Sequence, residues 1–190
     1  MTVRQMTNEK MEDIIERATK MAVDAHWGQK RKGDDVPYIL HPVMVAVRLV
    51  KGNFPKEVIA AGMAHDVLDV ANLSEAQLRD ELGDDVADVI KAVSSDKSLP
   101  WMEQKKKYLE SVREGSEAVK AVAVADRIDE LIWLLIAYEE QGPAAWQRYE
   151  HGPDAQIWLE KEVLKILRET WRHSLIDQYE KLIQAEEKLK

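Results

Sequence analysis

The sequence predicts an all-α fold, one helical bundle formed by the whole 190-residue chain, and three observations carry that expectation. Apolar residues recur at i, i+3, i+4 spacing almost throughout, and the β-branched alternation that marks strands is scarce. Prolines, glycines and a capping motif cut the periodic stretches into lengths suited to packed helices. With 45% hydrophobic residues the chain can bury a real core, and no linker or low-complexity tract divides it.

The first helix is expected from about Asn8 to His26, where Met11, Ile14, Ile15, Ala18, Met21, Ala22 and Ala25 form one stripe. WGQKRKGDDVPY then reads as a loop closed by Pro37. Pro42 fits the first turn of a helix running to about Lys51, and Pro55 starts another that continues through Val70. Ser74 and Gln77 make a capping box that opens a short helix ended by Gly83. Stretches at about 84–93, 102–113 and 116–140 supply three more. From Pro153 to Lys190 the pattern is helical without interruption, carrying Trp158, Val163, Ile166, Leu167, Trp171, Leu175, Tyr179 and Leu182. One unbroken rod there would reach roughly 54 Å. The segment therefore either folds over its own bundle, the preferred reading, or serves as the arm of a homodimer.

Composition removes several function classes. Cysteine is absent, so disulfides and thiolate chemistry are excluded and a reducing, cytoplasmic setting fits. The N-terminal MTVRQMTNEKMEDIIERATK is charged throughout, and no apolar run approaches the roughly 20 residues of a membrane span, so no membrane association is expected. A net charge of −8 argues against a duplex nucleic-acid surface, which needs clustered cations. A small polyanionic substrate needs only a local basic pocket.

Four side chains have metal-ligand chemistry in a telling order: His41 before a proline, the adjacent His65 and Asp66, and Asp126 in VADRIDEL. Imidazole with carboxylate favours Mn, Fe, Zn or Ni over an all-oxygen Mg or Ca site. Two carboxylates carry −2, which one divalent ion neutralises while leaving positions for water and a phosphate oxygen. On the helix after Pro55, Asp69 follows at i+4 from His65 and i+3 from Asp66, so all three can face one pocket. The small Ala60, Ala61, Gly62 and Ala64 just before them allow neighbouring helices to approach.

AHWGQKRKGDDVPYILHP, AAGMAHDVLD and VADRIDEL, in that order from about Met21 to Leu131, resemble the HD-domain hydrolases of the RelA/SpoT superfamily, in particular the small stand-alone alarmone hydrolases. The resemblance implies a single HD-domain bundle that hydrolyses the 3′-pyrophosphate of (p)ppGpp, giving GDP or GTP and pyrophosphate. It also implies one Mn²⁺ on His41, His65, Asp66 and Asp126. Arg31 and Lys32 would contact the base and its surroundings, as a guanidinium plane over a purine and a point charge for phosphate. Lys97, Arg127 and Glu130 complete the expected substrate-binding set. The run Lys105-Lys106-Lys107 either adds charge near the phosphates or is an ordinary exposed face.

Three positions depart from the resemblance. Family members place Glu-Asp where this chain has Asp69 and Val70, and asparagine where it has Glu130. Asp69 keeps a proton acceptor, one methylene shorter, and is the expected catalytic group that orients or deprotonates water. Val70 has none, and Glu130 would repel pyrophosphate unless it turns away or pairs with a cation such as Arg127. Three readings stay open: an alarmone hydrolase with altered apparatus, a phosphohydrolase of another nucleotide, or a metal- and nucleotide-binding sensor with weakened turnover. Trp133, Trp146, Tyr149, Trp158 and Trp171 are expected in the core or an interface, with Arg148 and Tyr149 placed near the pocket only by likeness. His26 is expected to brace its loop, and His151 and His173 to be surface or packing residues.

Overall fold

The computed structural model describes residues 13–70 and 73–189, and of Val70 only the backbone. The expected helix start at Asn8, the stripe residue Met11, the far end at Lys190 and the Val70 side chain lie outside the described residues. What is described is all helical, with one isolated antiparallel bridge between Lys30 and Pro37 closing the basic loop.

Helix α1 spans Ile14–Ala25 and starts where the Glu16 carboxylate accepts from the Asp13 N–H at 3.2 Å. Helix α2 spans Leu40–Lys51 and α3 spans Lys56–Met63. In α3 the side chains from Val58 to Met63 are all buried, and a Cβ added to Gly62 would stand 2.3 Å from the Leu49 Cδ1 of α2. A methyl group there would have to push the Leu49 side chain aside, so the glycine lets α2 and α3 pack close together. Each buried Val or Ile side chain here contributes roughly 1.5–3 kcal/mol.

The helix expected to run on through Val70 breaks. It ends at Met63, Ala64 to Asp66 form a turn, and a single helical turn, α4, follows at Val67–Val70. Tight i→i+3 bonds carry the chain through it, Val67 N–H to the Ala64 carbonyl at 3.2 Å and Asp69 N–H to the Asp66 carbonyl at 2.9 Å. His65 and Asp66 therefore stand at a corner rather than on a helix face.

Helix α5, Glu75–Leu82, opens on the expected capping box, with the Gln77 N–H donating to Ser74 Oγ at 3.3 Å, and ends at Gly83 with φ 81°. Helices α6, Asp84–Val93, and α7, Trp101–Glu114, follow. The central element is α8, Glu117–Gln141, buried along most of its length and packed by α2, α3, α6 and α7. A 3₁₀ segment, Gly142–Arg148, turns the chain into α9, Gly152–Thr170.

The C-terminal segment breaks at residues 171–173, where the His173 ring accepts from the Leu175 N–H at 3.2 Å and caps α10, Ser174–Glu186. His173 also stacks on Trp171, 5.0 Å between centroids and 4° between planes, so it is a packing residue as expected. Helix α10 packs on α8 and α9, the fold-over arrangement. Among the described residues no helix is long and apolar enough to cross a membrane.

Candidate active site

The first turn of α2, the corner after α3 and the middle of α8 bring the four expected ligands to one point. His41 Nε2 lies 3.1 Å from His65 Nε2, 3.2 Å from Asp126 Oδ1 and 3.6 Å from Asp66 Oδ2. His65 Nε2 lies 3.3 Å from Asp66 Oδ2 and 3.8 Å from Asp126 Oδ1. Ligands bonded to one ion at about 2.1 Å stand about 3.0–3.4 Å apart, so this spacing fits a shared cation.

The outer ring nitrogens decide which atoms face inward. His65 Nδ1 is 2.8 Å from the Gly62 carbonyl, which can only accept, so Nδ1 donates and in the neutral ring the lone pair is on Nε2. His41 Nδ1 is 2.8 Å from Asp129 Oδ2, and in the neutral ring that contact likewise leaves the lone pair on Nε2. Two lone pairs and two carboxylates then point at one another, a donor set that suits a divalent cation. Burial alone would lower the His41 pKa, but hydrogen bonds to Asp126 and Asp129 and the charge of Glu130 raise it. Burial would raise the Asp126 pKa, yet the His41 hydrogen bond and the charges of His65 and Arg127 hold it well below the carboxylate range. Asp66 is further fixed by the Tyr38 hydroxyl, which donates to its Oδ2 at 2.5 Å.

The cluster forms the floor of a cavity of about 450 Å³. Asp69 lines it, with Oδ1 accepting from the Ser95 N–H at 3.3 Å, and burial together with the charge of Asp66 raises its pKa. Lys32 and Arg127 also line it. Lys97 does not; it is exposed and donates from Nζ to the Asp69 carbonyl at 2.6 Å, bracing Asp69 from outside. Of the lysine run, Lys105 faces the cavity while Lys106 and Lys107 are exposed.

Arg31 lies in the wall, but in a different relation from the one expected. Its guanidinium is 5% exposed, donates to Asp129 at 2.9 Å and Glu130 at 2.7 Å, and sits 4.3 Å from the centroid of Trp133. The cation that Glu130 meets is thus Arg31, whereas Arg127 is bound by Glu160 of α9. His26 braces its loop, Nδ1 lying 2.9 Å from Gln29 Oε1. His151, expected only as a surface or packing residue, lines the cavity with its ring 4.6 Å from that of Trp101, and Arg148 and Tyr149 line it too.

Sequence reasoning missed Tyr38, Arg48, Asp129 and Glu160. Asp129 carried a signal, since it stands one helical turn after Asp126 and so on the same side of α8. Glu160 carried none, because its partner is 33 positions away.

A helical bundle with a His/His-Asp/Asp centre is the architecture of one class, and comparison with known proteins agrees: the HD domain family matches residues 18–150. The chain belongs to the HD-domain family. Its relatives include the guanosine-3′,5′-bis(diphosphate) 3′-pyrophosphohydrolase MESH1 of Xenopus tropicalis, 32% identical over 160 residues, 83% of this chain and 86% of that protein. The guanosine-3′,5′-bis(diphosphate) 3′-pyrophosphohydrolase of Aquifex aeolicus is 28% identical over 130 residues, 67% of this chain but 18% of that longer protein. A Listeria monocytogenes protein solved at 1.85 Å superposes with a TM-score of 0.71 at 31% identity, covering 76% of this chain and 97% of that one. A metazoan ortholog of SpoT, reported to hydrolyse ppGpp, gives a TM-score of 0.75 over 92% of this chain and 96% of its own; at 23% identity it speaks for the fold.

Proposed function

We propose that this protein is a metal-dependent phosphohydrolase that removes the 3′-pyrophosphate of guanosine 3′,5′-bis(diphosphate)-type nucleotides, with Mn²⁺ as its cation. The observation that carries this reading is the convergence of the His41 and His65 Nε2 atoms with Asp66 and Asp126 on the floor of a cavity whose walls include Lys32, Lys105, Arg127 and Arg148. When bound by those four residues, a divalent ion supplies Lewis acidity toward a phosphoryl oxygen and toward water. The relatives named for this reaction support the choice of substrate.

The chain's own residues then divide the work. Asp69 accepts the proton of the attacking water; its raised pKa makes it a stronger base than an ordinary carboxylate, and Ser95 and Lys97 hold it in place. Water adds to the phosphorus attached to the 3′ oxygen, that P–O bond breaks, and the 3′ oxygen takes up a proton as pyrophosphate leaves. Lys32, Lys105 and Arg127 offset the charge of the phosphates. Tyr38 keeps the Asp66 carboxylate turned to the cluster.

One observation favours a second reading, a different phosphorylated nucleotide. Both arms of the Arg31 fork are taken by Asp129 and Glu130 beneath Trp133, so the guanidinium is not free to stack on a purine as the resemblance implies. Pyrophosphate release from ppGpp with added Mn²⁺, run beside His65→Ala, Asp69→Asn and a panel of other nucleotides, separates the two. The alarmone reading expects turnover that vanishes in His65→Ala and drops on the order of 100-fold or more in Asp69→Asn. Silence on ppGpp with activity elsewhere on the panel selects the second reading, and full turnover by Asp69→Asn removes Asp69 from the mechanism.

A further inference from the structure

Behind the ligand cluster three side chains, two guanidinium groups and an imidazole, converge on one carboxylate. Asp129 is 4% exposed; its Oδ2 stands 2.8 Å from His41 Nδ1 and accepts from Arg31 Nη1 at 2.9 Å, while Oδ1 accepts from Arg48 Nη1 at 2.8 Å. An ionised carboxylate this deep is tolerable only with such partners. Helix α8 thus grips the His41 ring at both ends: Asp126 meets Nε2 at 3.2 Å, and Asp129, one turn on, meets Nδ1.

The two histidines of the cluster are held by different chemistry. His65 Nδ1 faces a neutral carbonyl, that of Gly62, whereas His41 Nδ1 faces an anion. A carboxylate at the outer nitrogen fixes the tautomer and the ring plane and makes the inner nitrogen the stronger donor. Arg31 does not need Asp129 in order to be neutralised, because Glu130 already binds its other arm at 2.7 Å. Among the described residues the contact to His41 is the one that no other carboxylate makes as closely, Glu130 Oε1 being 3.7 Å from the same nitrogen.

We propose that Asp129 is a positioning residue of the metal centre, one that locks His41 with Nε2 toward the cation and ties that ring, through Arg31, to the basic loop. The inference rests on His41, His65, Asp66 and Asp126 being a metal centre. Asp129→Asn keeps the size and one acceptor but loses the charge. Its Mn²⁺ affinity, read from the electron paramagnetic resonance signal of the free ion, is expected to fall about 10–100-fold. An affinity within about twofold of wild type overturns the proposal.

A second measurement uses the unaltered protein, so it stands even if the Asn variant does not fold. In ¹⁵N-histidine spectra of protein loaded with Zn²⁺ as a diamagnetic probe, His41 is expected to bind through Nε2 and to keep a slowly exchanging, far-downfield Nδ1 proton shared with a carboxylate. A His41 Nδ1 proton that exchanges freely, or coordination through Nδ1, overturns the role given to Asp129. Absence of any Zn²⁺-induced shift on both His41 and His65 would instead remove the metal-centre reading itself, which keeps the two failures apart.

Discussion

Arg127 is clamped from behind by Glu160: the Nε–Oε2 separation is 3.1 Å, with a closer contact from Nη2 to Oε1, and the carboxylate is fully buried. Gln156 and the Tyr179 hydroxyl donate to the same carboxylate. Glu160 and Tyr179 lie beyond residue 150, where the HD domain match ends, so the C-terminal helices hold a residue of the cavity wall from outside the matched region. Glu160→Ala would leave the Arg127 charge buried and unpaired, and urea unfolding is expected to show a loss of about 3–5 kcal/mol. A loss below about 1 kcal/mol would mean that Arg127 finds other partners.

The lysine run separates by direction. Lys105 lines the cavity, where burial and the nearby Arg127 lower its pKa, while Lys106 and Lys107 are exposed. Lys105→Ala is expected to raise KM for the nucleotide about tenfold, and the same change at Lys106 or Lys107 to leave it within about twofold. Equal effects at all three positions would indicate general attraction rather than contact.

Glu130→Asn removes an anion from the cavity wall and frees one arm of Arg31. With ppGpp as substrate, KM is expected to fall about tenfold, the equivalent of roughly 1.4 kcal/mol for a nearby like charge. A rise in KM would show that the Arg31–Glu130 pair is itself the recognition element, and would favour the reading of a different nucleotide.

Glu186 gives the fold a pH dependence. It is fully buried, neither carboxylate oxygen has a hydrogen-bond partner among the described residues, and burial with the charge of Glu160 raises its pKa from 4.5 to about 8. The folded chain holds this proton where the unfolded chain has released it, so the stability from the protonated group is present below about pH 4.5 and is lost as pH rises to about 8. Glu186→Gln cannot lose a proton. Its Tm advantage over wild type is expected to grow between pH 5 and 8, on the order of 5 °C or more, and then to level off. A flat difference across that range would contradict the assignment.

The helices and the convergence of the candidate ligands were legible in sequence because local signals mark them: Ser74 with Gln77, Gly83, and the order of His41, His65, Asp66 and Asp126. The corner at Ala64–Asp66 was not, since MAHDVLD contains no glycine or proline to announce it. It is set by tertiary demand, with the His65 ring bonded to the Gly62 carbonyl and Asp66 to Tyr38. Glu130 illustrates the other limit. From sequence Arg127, three residues before it, was the available cation, but Arg127 turns to Glu160 and Arg31 arrives from a loop 99 positions earlier. Which charge meets which is decided by helix packing, and pattern along one chain does not contain it.

The ligands come from three stretches far apart along the chain: the start of α2, the corner after α3, and the middle of α8. Under the proposed metal centre, an ion shared by them would be a cross-link as well as a reagent, closing long loops that the unfolded chain would leave open. At a free concentration 100 times its Kd it would add about 2.7 kcal/mol to the folded state. Growth in a metal-poor medium would then cost the cell more than turnover, because the idle molecules would also be the ones that unfold and are degraded first.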